Sequence, residues 1–195
     1  MVASKPSNRP KVLRVGQPAE PCIGFDGQPL GRIMFGATWE DADFDIDMCA
    51  VLLDEYGQIP SQQSFVYRRN RWAPERSAFV TWKMPGEEAG IDRTQVLVDL
   101  DRLDESIVAV KIALTAVMRG QPLGDAGTFR TRVMDLATAH TPFVFSPPVA
   151  AYAHERCMEL WKIERAHGGW VVEALGEAYP GGPSAFARDH GYRPG

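Results

Sequence analysis

Short runs of β-branched and aromatic residues, closed by Gly, Pro, Asp or Asn, recur along this chain about every 8–12 residues. That cadence leaves little room for long helices. Residues 107–117 are Val, Ile, Leu, Ala and Thr around one Lys, and their β-branched content predicts a central strand. Further strands are expected at 31–36, 48–53, 64–67, 78–82 and 95–100, and at 128–135, where strict alternation makes one face apolar and the other basic. Residues 157–165 and 170–175, joined by Ala166-His167-Gly168-Gly169, have the form of a β-hairpin. Ser184 is placed to cap a short helix over 185–190 that Gly191 can close. The expected fold is therefore all-β, a two-sheet β-sandwich with a short C-terminal helix.

At 195 residues the chain has the size of a single domain, with a core large enough to need no staples. Residues 1–30, with Pro6, Pro10, Pro18, Pro21 and Pro29, read as a Pro-rich, loosely held N-terminal arm in which 11–15 can pair as an edge strand. Residues 31–195 form the expected sandwich domain. A net charge of −4 argues against a nucleic-acid surface. The basic spots at Arg68, Arg69, Arg71 and at Arg130, Arg132 are short and read as solvated faces. No apolar run approaches the ~20 residues of a membrane span and no signal-peptide core is present, so the expected place is the cytoplasm, without integral membrane association. Cys22, Cys49 and Cys157 are odd in number and widely spaced, which predicts neither a disulfide framework nor a thiolate metal site.

The most distinctive local feature is acidic. Five carboxylates fall between Glu40 and Asp47, and Asp43, Asp45 and Asp47 alternate with Phe44, Ile46 and Met48. In an extended strand these aspartates share one side, where a hard divalent cation with oxygen ligands is one compensation for their repulsion and a solvated acidic face is the other.

The order of the pieces resembles the TerD domain of tellurium-resistance and general stress proteins. The family pattern G-x-x-W, D-F-D-L-D and L-L is similar to Gly36, Trp39, Asp43-Phe44-Asp45-Ile46-Asp47 and Leu52-Leu53. F-V-F-Y-N-N resembles Phe65-Val66-Tyr67-Arg68-Arg69-Asn70, and R-G-Q-x-F-G resembles Arg119-Gly120-Gln121-Pro122-Leu123-Gly124. The hairpin and tail match at His167-Gly168-Gly169-Trp170, Gly176, Tyr179, Gly181-Gly182 and Ala187-Arg188-Asp189-His190-Gly191.

The resemblance implies a β-sandwich that binds calcium at one end and has no common enzymatic role, with Asp43, Asp45 and Asp47 as half of the metal site. The other half, a glycine-rich acidic loop before the V-D-L strand, corresponds to residues 81–94. There only Asp92 matches, Glu87 and Glu88 can substitute, and Lys83 and Arg93 bring positive charge. The candidate metal ligands are thus Asp43, Asp45, Asp47, Glu88 and Asp92. Neighbouring aspartates of a regular strand face lie ~7 Å apart and calcium needs 6–8 oxygens, so calcium is expected to be weakly held or lost.

No catalytic constellation accompanies this site. His140, His154, His167 and His190 lack ligand spacing, Cys157 lies between Glu155 and Glu159, which disfavour a thiolate, and Ser184 has no nucleophile-elbow context. The expected function is a TerD-like, non-enzymatic binding or scaffold protein of a bacterial stress-response assembly, calcium-regulated through the acidic end, with other proteins as partners. In the alternative, the altered 68–94 loop is a calcium-independent partner surface; an uncharacterised enzyme is the remaining reading.

Overall fold

A computed structural model describes residues 9–41, 43–83 and 91–193. The described residues form β1 (Lys11–Val12), β2 (Glu20–Pro21), β3 (Arg32–Trp39), β4 (Ile46–Leu53), β5 (Phe65–Val66), β6 (Ala78–Trp82) and β7 (Thr94–Asp99). They continue with β8 (Ala109–Ala116), β9 (Phe129–Asp135), β10 (Phe143–Phe145), β11 (Cys157–Ala166), β12 (Gly169–Ala178) and the helix α1 (Gly182–Asp189). The strands make two six-stranded sheets, ordered β1-β10-β9-β3-β7-β6 and β2-β12-β11-β8-β4-β5. This is the expected two-sheet β-sandwich with one short C-terminal helix.

Side-chain alternation assigns each face. Ile33, Phe35 and Ala37 of β3 meet Ile46, Met48, Ala50 and Leu52 of β4 and Val110, Ile112 and Leu114 of β8 in the core between the sheets. Trp161 is fully buried there, with Phe35 and Phe145 rings 6.1 and 5.5 Å away. On the other side of the second sheet, Cys49, Val51 and Leu53 of β4, with Ala109 and Ala113 of β8, pack beneath Phe186 and Ala187 of α1. Both faces of β4 are therefore covered, which explains why its sequence is a continuous apolar run rather than an alternating one.

Two crossings close the open sides of the sandwich. Near the N-terminus, β1 pairs in parallel with β10 and β2 pairs antiparallel with β12, so the segment between them passes from one sheet to the other. Lys11 and Glu20 join across this passage at 2.6 Å, and Leu13 and Cys22 enter the core. The proline-rich stretch is thus tied at both edges, where a residue lacking an N–H is tolerated. On the opposite side, the chain leaves β5, makes a tight turn at Arg68-Arg69, and returns as residues 71–73 hydrogen-bonded to β6 before entering it.

Three local expectations are corrected. The strand that was to carry Asp43, Asp45 and Asp47 begins only at Ile46; Asp41 Oδ1 accepts the Asp43 N–H at 3.1 Å, and this side-chain turn competes with extended pairing. Ser184 is not the helix cap. The helix starts three residues earlier than expected, after Gly181 at φ 84°, because Pro183 within the first turn sacrifices no needed N–H. The basic face of β9 is not wholly solvated, since Arg132 is engaged as described below.

Candidate functional site

The tip between β5 and β6 is a hairpin turn: Tyr67 and Asn70 exchange both backbone hydrogen bonds, at 2.9 and 3.0 Å, leaving Arg68 and Arg69 at its apex. The Asn70 amide donates to the carbonyls of Phe65 and Gln63 and so holds the turn against β5. Arg68 is thereby aimed at the start of β4. Its Nη2 lies 2.8 Å from Asp45 Oδ1 and 2.7 Å from Asp47 Oδ1. Its Nε stands 2.6 Å from Asp47 Oδ2, a charge contact rather than an aligned hydrogen bond. The guanidinium also lies 5.1 Å from the centre of the Trp82 ring, which Arg71 approaches to 5.0 Å.

One cation therefore serves two carboxylates. Burial pushes the Asp47 carboxyl above its ordinary value while Arg68 pulls it down and Asp45 pushes it up again. The two aspartates in turn hold the Arg68 guanidinium more firmly protonated, against its partial burial. Asp43 is exposed at the preceding turn and takes no part.

Asp92 lies elsewhere. It is buried against the side of β3 turned away from the core, where Arg132 of β9 binds it through Nη2 at 2.7 Å and Nε at 3.1 Å, and Gln95 donates at 3.3 Å. Gly36 makes this possible, because a Cβ there would stand 2.4–2.6 Å from the Asp92 carboxylate. Arg93, next along, stacks over Trp39 at 5.5 Å. Among the described residues no hydrogen bond or ion pair joins Asp92 to Asp43, Asp45 or Asp47. Glu88, with Glu87, lies outside the described residues.

Among the described residues, Asp43, Asp45, Asp47 and Asp92 do not converge on one position where a calcium ion could sit. Calcium asks for 6–8 converging oxygens. Here the Asp45 and Asp47 oxygens converge on a guanidinium, and the Asp92 oxygens on another. Among the described residues no group of three or more His, Cys, Asp and Glu is placed to hold a metal.

The other reactive groups are quiet. The three cysteines are unbridged and buried, and burial pushes the Cys22 thiol up to about 12, with Cys49 and Cys157 raised as well. For Cys157 the charge of Glu159 adds to burial, as the acidic neighbours in its sequence predicted. No helix among the described residues is long and apolar enough to cross a membrane.

Arg68 and Arg132 were missed as site residues. The signal for Arg68 lay in the segment where the resemblance has F-V-F-Y-N-N and this chain has Phe65-Val66-Tyr67-Arg68-Arg69-Asn70. Arg132 carried no local signal, since its partner is 40 residues away.

Comparison with known proteins agrees with the fold and with the order of the sequence elements. A family model, the TerD domain, matches residues 25–190, most of the chain. General stress protein 16U of Bacillus subtilis is 23% identical over 176 residues, covering 85% of this chain and 90% of that protein. Tellurium resistance protein TerD of Serratia marcescens is also 23% identical, with coverage of 83% and 88%. A solved structure of a homologue of telluride resistance protein (TerD) from Streptomyces coelicolor superposes with a TM-score of 0.65 over 81% of this chain and 95% of that one, at 14% identity. This last likeness shows the sandwich fold alone. With the family model running from before β3 through the Arg68 turn to the C-terminal helix, the chain belongs to the TerD domain family.

Proposed function

We propose that this TerD-domain protein is a non-catalytic, cytoplasmic binding module of a stress-response assembly, and that it works without calcium. The observation that carries this reading is the position of Arg68 between Asp45 and Asp47. An internal guanidinium already supplies the positive charge that the acidic end of the sandwich needs, at distances a metal ion would have to displace. The names of the relatives support the stress-response setting.

The working surface is the neighbouring crossing and β6. Trp72 is half exposed and stacks on Phe79 at 4.5 Å, with Arg76 over its ring at 5.6 Å. Exposed Trp and Arg held in fixed positions are the residue types that anchor protein interfaces, and the cationic rim favours an acidic protein partner. Titration of chelator-treated protein with calcium tests the calcium-independent reading. The expected result is no binding heat and an unchanged melting temperature at millimolar calcium. A melting temperature that climbs with calcium concentration would overturn it, because any ligand selective for the folded state stabilises that state.

A further inference from the structure

A cleft of about 600 Å³ opens between the outer face of β4, the Arg68-Arg69 turn and α1. Its volume suits a small organic ligand. Its floor is apolar and buried, formed by Cys49, Phe65 and Ala187. One wall is an aromatic cluster: Phe65 stacks on Tyr67 at 4.7 Å, and Tyr192 meets both rings edge-on at 4.8 and 5.8 Å. The Tyr67 and Tyr192 hydroxyls are joined at 2.8 Å, which fixes the wall and places their polar tips together.

The charge of the cleft is decided by which groups are already paired. Asp47 is the one carboxylate among the lining residues, and it is paired with Arg68, which it shares with Asp45 just outside the cleft. Arg69 at the turn and Arg188 on the helix also line the cleft. Neither makes a side-chain hydrogen bond or ion pair among the described residues. Ser184 and Arg188, four residues apart on α1, share one helix face above Ala187 and add a hydroxyl to the same rim. The site therefore combines an aromatic wall, an apolar floor and two guanidinium groups without a side-chain partner among the described residues. A cation would meet like charge here, and a neutral apolar body would leave both arginines unused.

We propose that this cleft binds a small aromatic anion, a planar ring carrying a phosphate or carboxylate, with the ring against Tyr67 and Tyr192 and the anionic group between Arg69 and Arg188. Guanidinium groups pair with such anions through two parallel N–H donors, and tyrosine rings offer edge and face contacts to the ligand ring. The cleft borders the acidic end, sharing Asp47 and Arg68 with it, but the proposed anion contacts are Arg69 and Arg188.

Calorimetry with phenyl phosphate tests it, with inorganic phosphate and benzyl alcohol as probes of each half of the ligand. Phenyl phosphate should bind at least ~10-fold more tightly than either half, corresponding to one factor of ten in the equilibrium constant or more. The double variant Arg69→Gln and Arg188→Gln should lose at least ~10-fold of that affinity while melting at the wild-type temperature, because both side chains are exposed and make no side-chain hydrogen bond or ion pair among the described residues. Tyr192→Leu should weaken phenyl phosphate and leave the weak binding of inorganic phosphate unchanged. No heat at millimolar phenyl phosphate, equal affinity for inorganic phosphate, or full affinity in the double arginine variant would each overturn the proposal.

Discussion

At Arg68 the balance of forces can be read from a single side chain. Its side chain is 29% exposed, while that of Asp47 is 9% exposed, so the pair lies between a surface salt bridge and a buried one. Exposed pairs contribute at most about 1 kcal/mol and breaking a buried pair costs about 3–5 kcal/mol, which places Arg68→Gln near 2 kcal/mol of destabilisation at neutral pH. The loss must depend on pH with a definite sign. Burial already holds the folded-state pKa of Asp47 above its unfolded value, and removing Arg68 raises it further. A raised carboxyl contributes stability while protonated and loses it as pH climbs through the folded value. The deficit of Arg68→Gln relative to wild type should therefore be largest at pH 7 and shrink towards zero near pH 4, as urea unfolding at the two pH values will show. The same residue marks the limit of what the sequence disclosed about the site. The alternation of Asp45 and Asp47 exposed a charge problem, but its solution came from a long side chain whose target is set by the turn between β5 and β6. Asp92 shows the same limit, because its partner Arg132 is brought to it by the pairing of β3 with β9.

Among the elements, α1 is held by its end as much as by its face. Phe186 and Ala187 pack on β4, while the turn at 54–62 grips the helix terminus. Gln58 donates to the Asp189 carbonyl at 3.0 Å, the Ile59 N–H donates to the His190 carbonyl at 2.9 Å, and His190 Nδ1 meets the Gly57 carbonyl at 3.1 Å. The last contact requires a hydrogen on Nδ1, and Nε2 is then buried with no partner. Protonation would put an unpaired N–H and a charge in that pocket. Burial accordingly pushes the His190 pKa down, helped by the Lys111 charge and opposed by the Gly57 hydrogen bond and by Glu159 and Asp189. A depressed folded pKa gives stability that is full above the unfolded value near 6.5 and lost as pH falls through the folded one, about 1.4 kcal/mol per unit of depression. Wild-type protein should lose stability between pH 7 and 5 in chemical denaturation, and His190→Gln should flatten that slope while being less stable at pH 7. The helix also shows which elements were legible beforehand. β9 announced itself by a period of two, β8 by an unbroken β-branched run, and β11 and β12 by the glycine turn that joins them. The start of α1 did not, because Ser184 looks like a cap only when the left-handed Gly181 is unseen. The short β5 was legible too, within the expected strand at 64–67, and is only cut back to Phe65–Val66 by the turn that follows it.

For the whole molecule, the notable economy is that both open sides of the sandwich are closed by crossings of the chain rather than by long edge strands. Around Arg68 the closure is electrostatic and aromatic; near the N-terminus it is made by β1, β2 and the Leu13 and Cys22 side chains, 4% and 3% exposed. Composition alone suggested a loose arm, because prolines weaken strand pairing wherever a donor is needed. Here the pairings are two residues long and lie at sheet edges, so little donor capacity is lost. Removing residues 1–24 should have two separable effects. Loss of Leu13 and Cys22 from the core should cost about 3–5 kcal/mol, or roughly 10 °C in melting temperature for a domain of this length. Uncovering β10 and β12 should also present two strand edges to solvent, which favours pairing between molecules. Leu13→Ala provides the contrast, since it opens the core while leaving β1 and β2 able to pair. The point variant should be about 2–3 kcal/mol less stable yet elute at the wild-type volume in size-exclusion chromatography, whereas the truncated protein should melt lower still and shift to larger species as concentration rises. A truncated protein that elutes at one position at every concentration would show that β1 and β2 serve the core and not the edges.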